Sequence, residues 1–161
     1  MGVVLRMKKT QPIKDRLNDH LTMLEKLAAI NMEIRYVYGT IKSPDFSGMP
    51  KGGSQRTSEE ERLYMLKEEL EEKAARKQAE IDRDWADLGE MIERLDPFEA
   101  LVMNLRYRYG EDWDDVCRAI FGKRSDYELE LDRYEDKMYK AHGRALCALA
   151  DMLLEREQCT A

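Results

Sequence analysis

The sequence predicts an all-α protein: a long antiparallel helical hairpin, coiled-coil-like, followed by a C-terminal helix-turn-helix unit. Three observations predict it. Apolar residues recur at steps of three and four through most of the 161 residues. Most of the 4 prolines and 9 glycines fall between those periodic stretches, where they punctuate the chain. Hydrophobic residues make up 43% and charged residues 37%, a balance that suits helices with one buried and one solvated side.

Residues 1–10 carry no hydrophobic period and read as a flexible basic tail. From Gln11 to Ile41 an apolar stripe runs through Ile13, Leu17, Leu21, Leu24, Ala28, Ile34, Tyr38 and Ile41, with Asn31 as its one polar step. Near-heptad spacing is a coiled-coil or bundle signature. An Asn within such a seam fixes register or partner number, whereas one at its edge is simply solvated, and the sequence leaves both readings open. Residues 43–57 hold Pro44, Pro50, Gly48, Gly52 and Gly53, so a loop is expected, and its Phe46 and Met49 either fold back on the hairpin end, the plainer reading, or form a partner contact. Ser58 and Glu61 form a capping-box pattern that opens a second helix. Its stripe is Leu63, Leu66, Leu70, Ala74, Ile81, Trp85, Leu88, Ile92 and Leu95.

At ~1.5 Å per residue these helices extend about 46 Å and about 57 Å, too long for a compact globule of this size. A hairpin over residues 11–95 with a protruding end is therefore expected. Residues 1–56 carry 10 Lys/Arg and 5 Asp/Glu, a net +5, and residues 57–96 carry 7 and 14, a net −7. The two helices therefore attract, although surface ion pairs are individually weak and the apolar seams must hold them together. Spare apolar edges on such an arm predict a homodimer formed through it.

Asp96-Pro97 ends the arm, because proline restricts the residue before it and suits the first position of a new helix. Asp96 can cap that helix, and Glu99 complements its positive end. Phe98, Leu101, Val102 and Leu105 mark its apolar face, and Gly110 is placed to stop it. Asp112 opens a shorter helix with Trp113, Val116, Cys117 and Ile120 on one side, and Gly122 can end it. A third pattern steps through Leu131, Tyr134, Met138, Ala141, Ala145, Leu149 and Met152. Helix, short helix, turn and longer helix over residues 96–161 are the parts of a helix-turn-helix DNA-binding unit.

Within that third helix, Arg133, Lys137, Lys140 and Arg144 are spaced four, three and four apart and line one face. Each neighbours a member of the apolar stripe, which turns the row roughly 100° away from the core side. Lys123 and Arg124 lie at the preceding turn, a common place for phosphate contacts. These six residues are the candidate DNA-binding set. Glu128, Glu130, Asp132, Glu135 and Asp136 crowd the start of the same helix and oppose that reading.

The remaining polar residues have plainer explanations. His142 reads as a packed or phosphate-touching side chain, and His20 stands alone on the first helix. Asp112, Asp114 and Asp115 suit a helix start. Tyr107, Tyr109 and Trp113 suit core packing around the Gly110 turn. No phosphate-cradling loop, metal-ligand cluster or paired nucleophile and base occurs, so no enzyme, metal or cofactor is expected. Cys117, Cys147 and Cys159 form no CxxC pair and read as reduced thiols. No apolar run reaches membrane-spanning length, and a cytoplasmic location is expected.

The run from Leu105-Arg106-Tyr107 to Trp113, then FGKRSDYELELDRYEDKMYKAHGRAL, with the earlier loop SPDFSGMPKGG, resembles a phage and prophage protein family of Gram-positive hosts. That family is similar to region 4 of sigma-70 factors and to ArpU- and RinA-type phage transcriptional regulators. The resemblance implies a phage-derived transcriptional regulator that binds double-stranded DNA, with another face available to host RNA polymerase. The segment from Lys123 to Asp132 is longer than its counterpart in sigma region 4 and predicts an extra helical turn. Two other classes fit the same parts. One is a non-DNA interaction protein that binds RNA polymerase or another regulator, and the other is a small-terminase-like DNA-packaging adaptor.

Overall fold

Among the described residues the chain forms helices and no strand, in a computed structural model that describes residues 2–42 and 53–160, with side chains at 2–41 and 58–160. The elements are α1 (Gly2–Lys42), α2 (Gly53–Glu93), α3 (Pro97–Met103), α4 (Trp113–Phe121) and α5 (Leu131–Thr160). α3 widens into a π-helical turn at Asn104–Arg108. No helix among these is long and apolar enough to cross a membrane. The chain divides into two units, one of Met1–Leu21 with Arg83–Ala161 and one of Thr22–Asp82.

In the first unit α5 is the spine of two apolar clusters. Its later turns bring Ala145, Leu146, Leu149 and Ala150 against Ile13 and Leu17 of α1, Leu88, Met91, Ile92 and Leu95 of the α2 segment, and Met103 and Tyr107. Its earlier turns bring Tyr134, Met138 and Ala141 against Val102, Val116, Cys117 and Phe121. Arg16 pairs with Asp87, and His20 Nδ1 lies 2.7 Å from Asp84 Oδ2, so these stretches of α1 and α2 run antiparallel. Arg156 of α5 also reaches Asp87, at 2.5 Å. Burial alone would raise the Asp87 carboxyl, but hydrogen bonds from Arg156 and Arg16 and their positive charge outweigh it and hold its pKa below the ordinary value.

The junction before α3 forms as its local chemistry requires. α2 ends at Glu93, and Asp96 accepts from the Phe98 N–H at 3.3 Å with Pro97 in the first turn. At the other end Tyr109 N–H bonds Asn104 O at 3.1 Å, and Gly110 takes a φ of 70°. That left-handed conformation suits glycine, because a Cβ would crowd the backbone. Asp112 stands at the start of α4 in extended conformation, without a side-chain capping bond.

The structure departs from the sequence expectation in several places. Residues 2–10 are not a loose tail but the first turns of α1. Lys9 pairs with Asp151, and the buried Thr10 bonds back to Arg6 O at 3.0 Å, so tertiary contact supplies what the missing period did not suggest. Pro12 sits inside α1 and removes one internal hydrogen bond without ending it. α2 begins at Gly53, so residues 53–57 belong to a helix and Ser58 is not its cap. Residues 43–52, with Phe46 and Met49, lie outside the described residues.

In the second unit the α1 seam is shifted from the expected one. Ile30 and Val37 are buried while Asn31 and Tyr38 are exposed, and Leu27 rather than Ala28 is half-buried. The run Leu24, Leu27, Ile30, Ile34, Val37 and Ile41 steps by three and four, as a coiled-coil seam does, with the steps in a different order from the expected stripe. Asn31 therefore has the solvated role. On α2 of this unit Leu70 is buried and Leu66 is exposed, and Lys67 Nζ sits 5.0 Å from the Tyr38 ring centroid.

Candidate nucleic-acid interface

α5 has two sides of opposite character. Tyr134, Met138, Ala141, Ala145 and Leu149 are buried, and the interposed Arg133, Lys137, Lys140 and Arg144 are all exposed. The helical period that drives the first set into the core turns the second toward solvent. Lys123 and Arg124 are exposed in the segment between α4 and α5. That segment, residues 122–130, is a succession of tight turns: Arg124 N–H bonds Phe121 O at 3.0 Å, Tyr127 N–H bonds Arg124 O at 3.1 Å, and Glu130 N–H bonds Asp126 O at 2.8 Å. The expected extra turn is therefore present as a chain of turns rather than as a further helix.

The six candidate residues differ in their company. Lys140 pairs with Asp136 at 2.8 Å, and Arg144 with Glu99 at 3.0 Å. Arg124 lies over the Phe121 and Tyr134 rings, at 5.9 and 5.8 Å, and Lys137 lies 6.0 Å from the Phe121 centroid. Tyr134 in turn donates to Asp126 at 2.7 Å, which fixes the edge of this aromatic step. Lys123 and Arg133 form no ion pair among the described residues. The resulting strip carries six cations, of which Asp136 and Glu99 balance Lys140 and Arg144, and the exposed Glu128, Glu130 and Asp132 lie at its start.

No family model, curated protein or solved structure matches the chain.

Sequence reasoning missed the polar cluster behind the strip. Tyr107 Oη and His142 Nε2 share a hydrogen bond of 2.8 Å, with their rings stacked. Trp113 meets His142 edge-on at 4.6 Å, and the Arg106 guanidinium lies over Trp113 while donating to Glu111 O at 2.8 Å. Arg106 Nε is buried without a hydrogen-bond partner among the described residues. Burial, with the Lys14 and Arg106 charges, pushes the His142 imidazole down to about 4, so it is neutral at pH 7. Burial likewise pushes the Tyr107 hydroxyl up to about 12, against the pull of Arg106. His142 is thus a packed, neutral side chain that fixes the π-helical turn and α4 against α5. His20 is also part of a cluster, buried against Trp85 with ring centroids 5.1 Å apart. A signal for it existed: His20 stands three residues after Leu17, on the apolar stripe of α1.

Proposed function

We propose that this protein is a phage-derived transcriptional regulator that binds duplex DNA through the exposed cationic side of α5. The observation that carries this reading is the placement of Arg133, Lys137, Lys140 and Arg144 on one solvent-facing side of a helix whose other side is core. A helix held in this way can enter a major groove while its opposite face stays packed. Lysine neutralises phosphate, and arginine can also bond a guanine edge bidentately. Lys123 and Arg124 flank the same side as phosphate contacts. The order α3, α4 and α5 supports the likeness to a helix-turn-helix, with residues 122–130 replacing the usual short turn.

Met32, Tyr36, Tyr64 and Met65 are exposed in the second unit and support self-association through the helical arm, which gives a homodimer. A dimer places two copies of α5 on related half-sites. One observation favours a protein partner as a second reading. Leu129 is 88% exposed beside a pocket lined by Asp114, Arg118, Tyr127, Leu131 and Glu135, a surface suited to RNA polymerase or another regulator.

Single truncations separate the readings. Arg133, which forms no ion pair among the described residues, contributes its full phosphate interaction, whereas Lys140 must first give up an exposed pair worth about 0.2–1 kcal/mol. Arg133→Ala therefore weakens duplex binding roughly tenfold, and Lys140→Ala two- to threefold, by equilibrium titration of a labelled duplex (order-of-magnitude expectations). Equal affinity for both variants and the native chain contradicts the DNA reading and leaves the Leu129 surface as the stronger one.

A further inference from the structure

A groove of about 470 Å³ lies between the first turns of α1 and the middle of α5, lined by Arg6, Lys140, Gly143, Arg144 and Cys147. Three cations therefore meet over one concavity, and one of them comes from a segment of α1 that carries no part of the α5 strip. Arg6 is exposed and forms no ion pair among the described residues. The other two hold acids: the exposed Asp136 sits on Lys140, and the largely buried Glu99 sits on the exposed Arg144. An exposed pair such as the first is readily exchanged for another anion.

Gly143 supplies an independent observation. It stands inside α5, where glycine is the poorest ordinary helix former. Neither packing nor backbone explains it, since nothing lies within 4 Å of the position a Cβ would occupy and its φ is not positive. What the missing side chain does is leave the groove open at the helix surface between Lys140 and Arg144. Glycine at such a place allows another backbone to approach closely.

We infer that this groove seats the phosphodiester backbone of the duplex, with Arg6 as a third cation that clamps the strand against α5. The inference rests on the DNA reading above and adds the α1 residue and the floor to it. A duplex is the favoured occupant because the groove continues the cationic side of α5 and because its three cations are complementary to a run of phosphates.

The test uses the full chain and a labelled duplex. Gly143→Leu adds no charge and improves helix propensity, so its melting temperature is expected to be unchanged or higher while duplex affinity falls roughly tenfold. Arg6→Ala is expected to lower the slope of log affinity against log salt by about 0.9, as loss of one phosphate contact requires, and Arg6→Lys to restore it. Cys147, half-buried in the groove, is expected to alkylate more slowly with duplex bound, while the exposed Cys159 reacts at its free rate. Native affinity and slope in Gly143→Leu and Arg6→Ala, with Cys147 unprotected, overturn the groove; if Arg133→Ala still weakens binding, the DNA reading survives that failure. Equal protection of Cys147 by inorganic pyrophosphate alone also overturns it, since the site then takes any small polyanion. Absence of duplex binding by the native chain overturns both.

Discussion

Arg133→Glu, Lys137→Glu, Lys140→Glu and Arg144→Glu, made together, are expected to reduce duplex affinity by roughly a thousandfold or more at low salt. The change removes four cations from the exposed side of α5 and places four anions in the path of the phosphates. All four side chains face solvent, so the apolar clusters beneath them are untouched. The new carboxylate at 140 faces the exposed Asp136 four residues away, and like charges at that spacing cost only a few tenths of a kcal/mol, whereas the one at 144 faces the largely buried Glu99 and carries the larger local cost. Helicity by circular dichroism should therefore match that of the native chain. The four glutamine replacements serve as a second set, which avoids the new repulsion and still loses the phosphate interactions. Native affinity in both sets contradicts the proposed interface.

The second large effect is on stability in mild acid. The folded-state pKa of His142 is held down to about 4 from an ordinary 6.5, because protonation would put a cation in a buried site facing Arg106, Lys14, Tyr107 and Trp113. Between those two values the unfolded chain binds the proton and the folded chain does not. Stability from this group is therefore complete above about 6.5, declines as pH falls, and is gone below about 4. The full span is on the order of 3 kcal/mol. Urea unfolding at successive pH values should show that loss in the native chain and a flatter profile over the same window in His142→Gln. The Asp87 contribution falls in a separate, more acidic window, because its folded pKa is lowered, so its stability is lost only as pH drops through the carboxylate range. A folded His142 that titrates near its ordinary value by NMR, with matching pH profiles in both chains, contradicts this assignment.

The parts of the molecule legible in the sequence are those decided by neighbours along the chain. Asp96, Pro97 and Phe98 stop one helix and start the next through contacts two residues apart, and the structure places the junction there. The alternation of Tyr134, Met138 and Ala141 with Arg133, Lys137 and Lys140 follows from helical period alone, and so does their opposite burial. Seam phase is harder to read. The expected and observed stripes both average about 3.5 residues per step and coincide at Leu24, Ile34 and Ile41; they differ only in the order of the steps of three and four, which exchanges Asn31 for Ile30 and Tyr38 for Val37.

Contacts between distant segments leave little trace in the sequence. His20 and Asp84 are 64 residues apart, Tyr107 and His142 are 35 apart, and Arg144 and Glu99 are 45 apart. Nothing local in residues 2–10 announces a helix, since Lys9 and Thr10 acquire their surroundings only when α5 is in place beside them. Arg6 is invisible as a candidate for the same reason. The π-helical turn at Asn104–Arg108 has no sequence signal at all, yet it lies next to the Tyr107–His142 bond.

Whether six cations of this unit meet phosphate is tested most directly by titrating the native chain with a labelled duplex across a salt series. Neutralisation by Lys123, Arg124, Arg133, Lys137, Lys140 and Arg144 predicts a slope of log affinity against log salt of about −5, and the seventh contact at Arg6 brings it to about −6. Affinity then falls about a thousandfold or more between roughly 50 and roughly 200 mM salt. A slope near zero, or no saturable binding at the lowest salt, contradicts the phosphate contacts and leaves the cationic side of α5 as a solvated helix face.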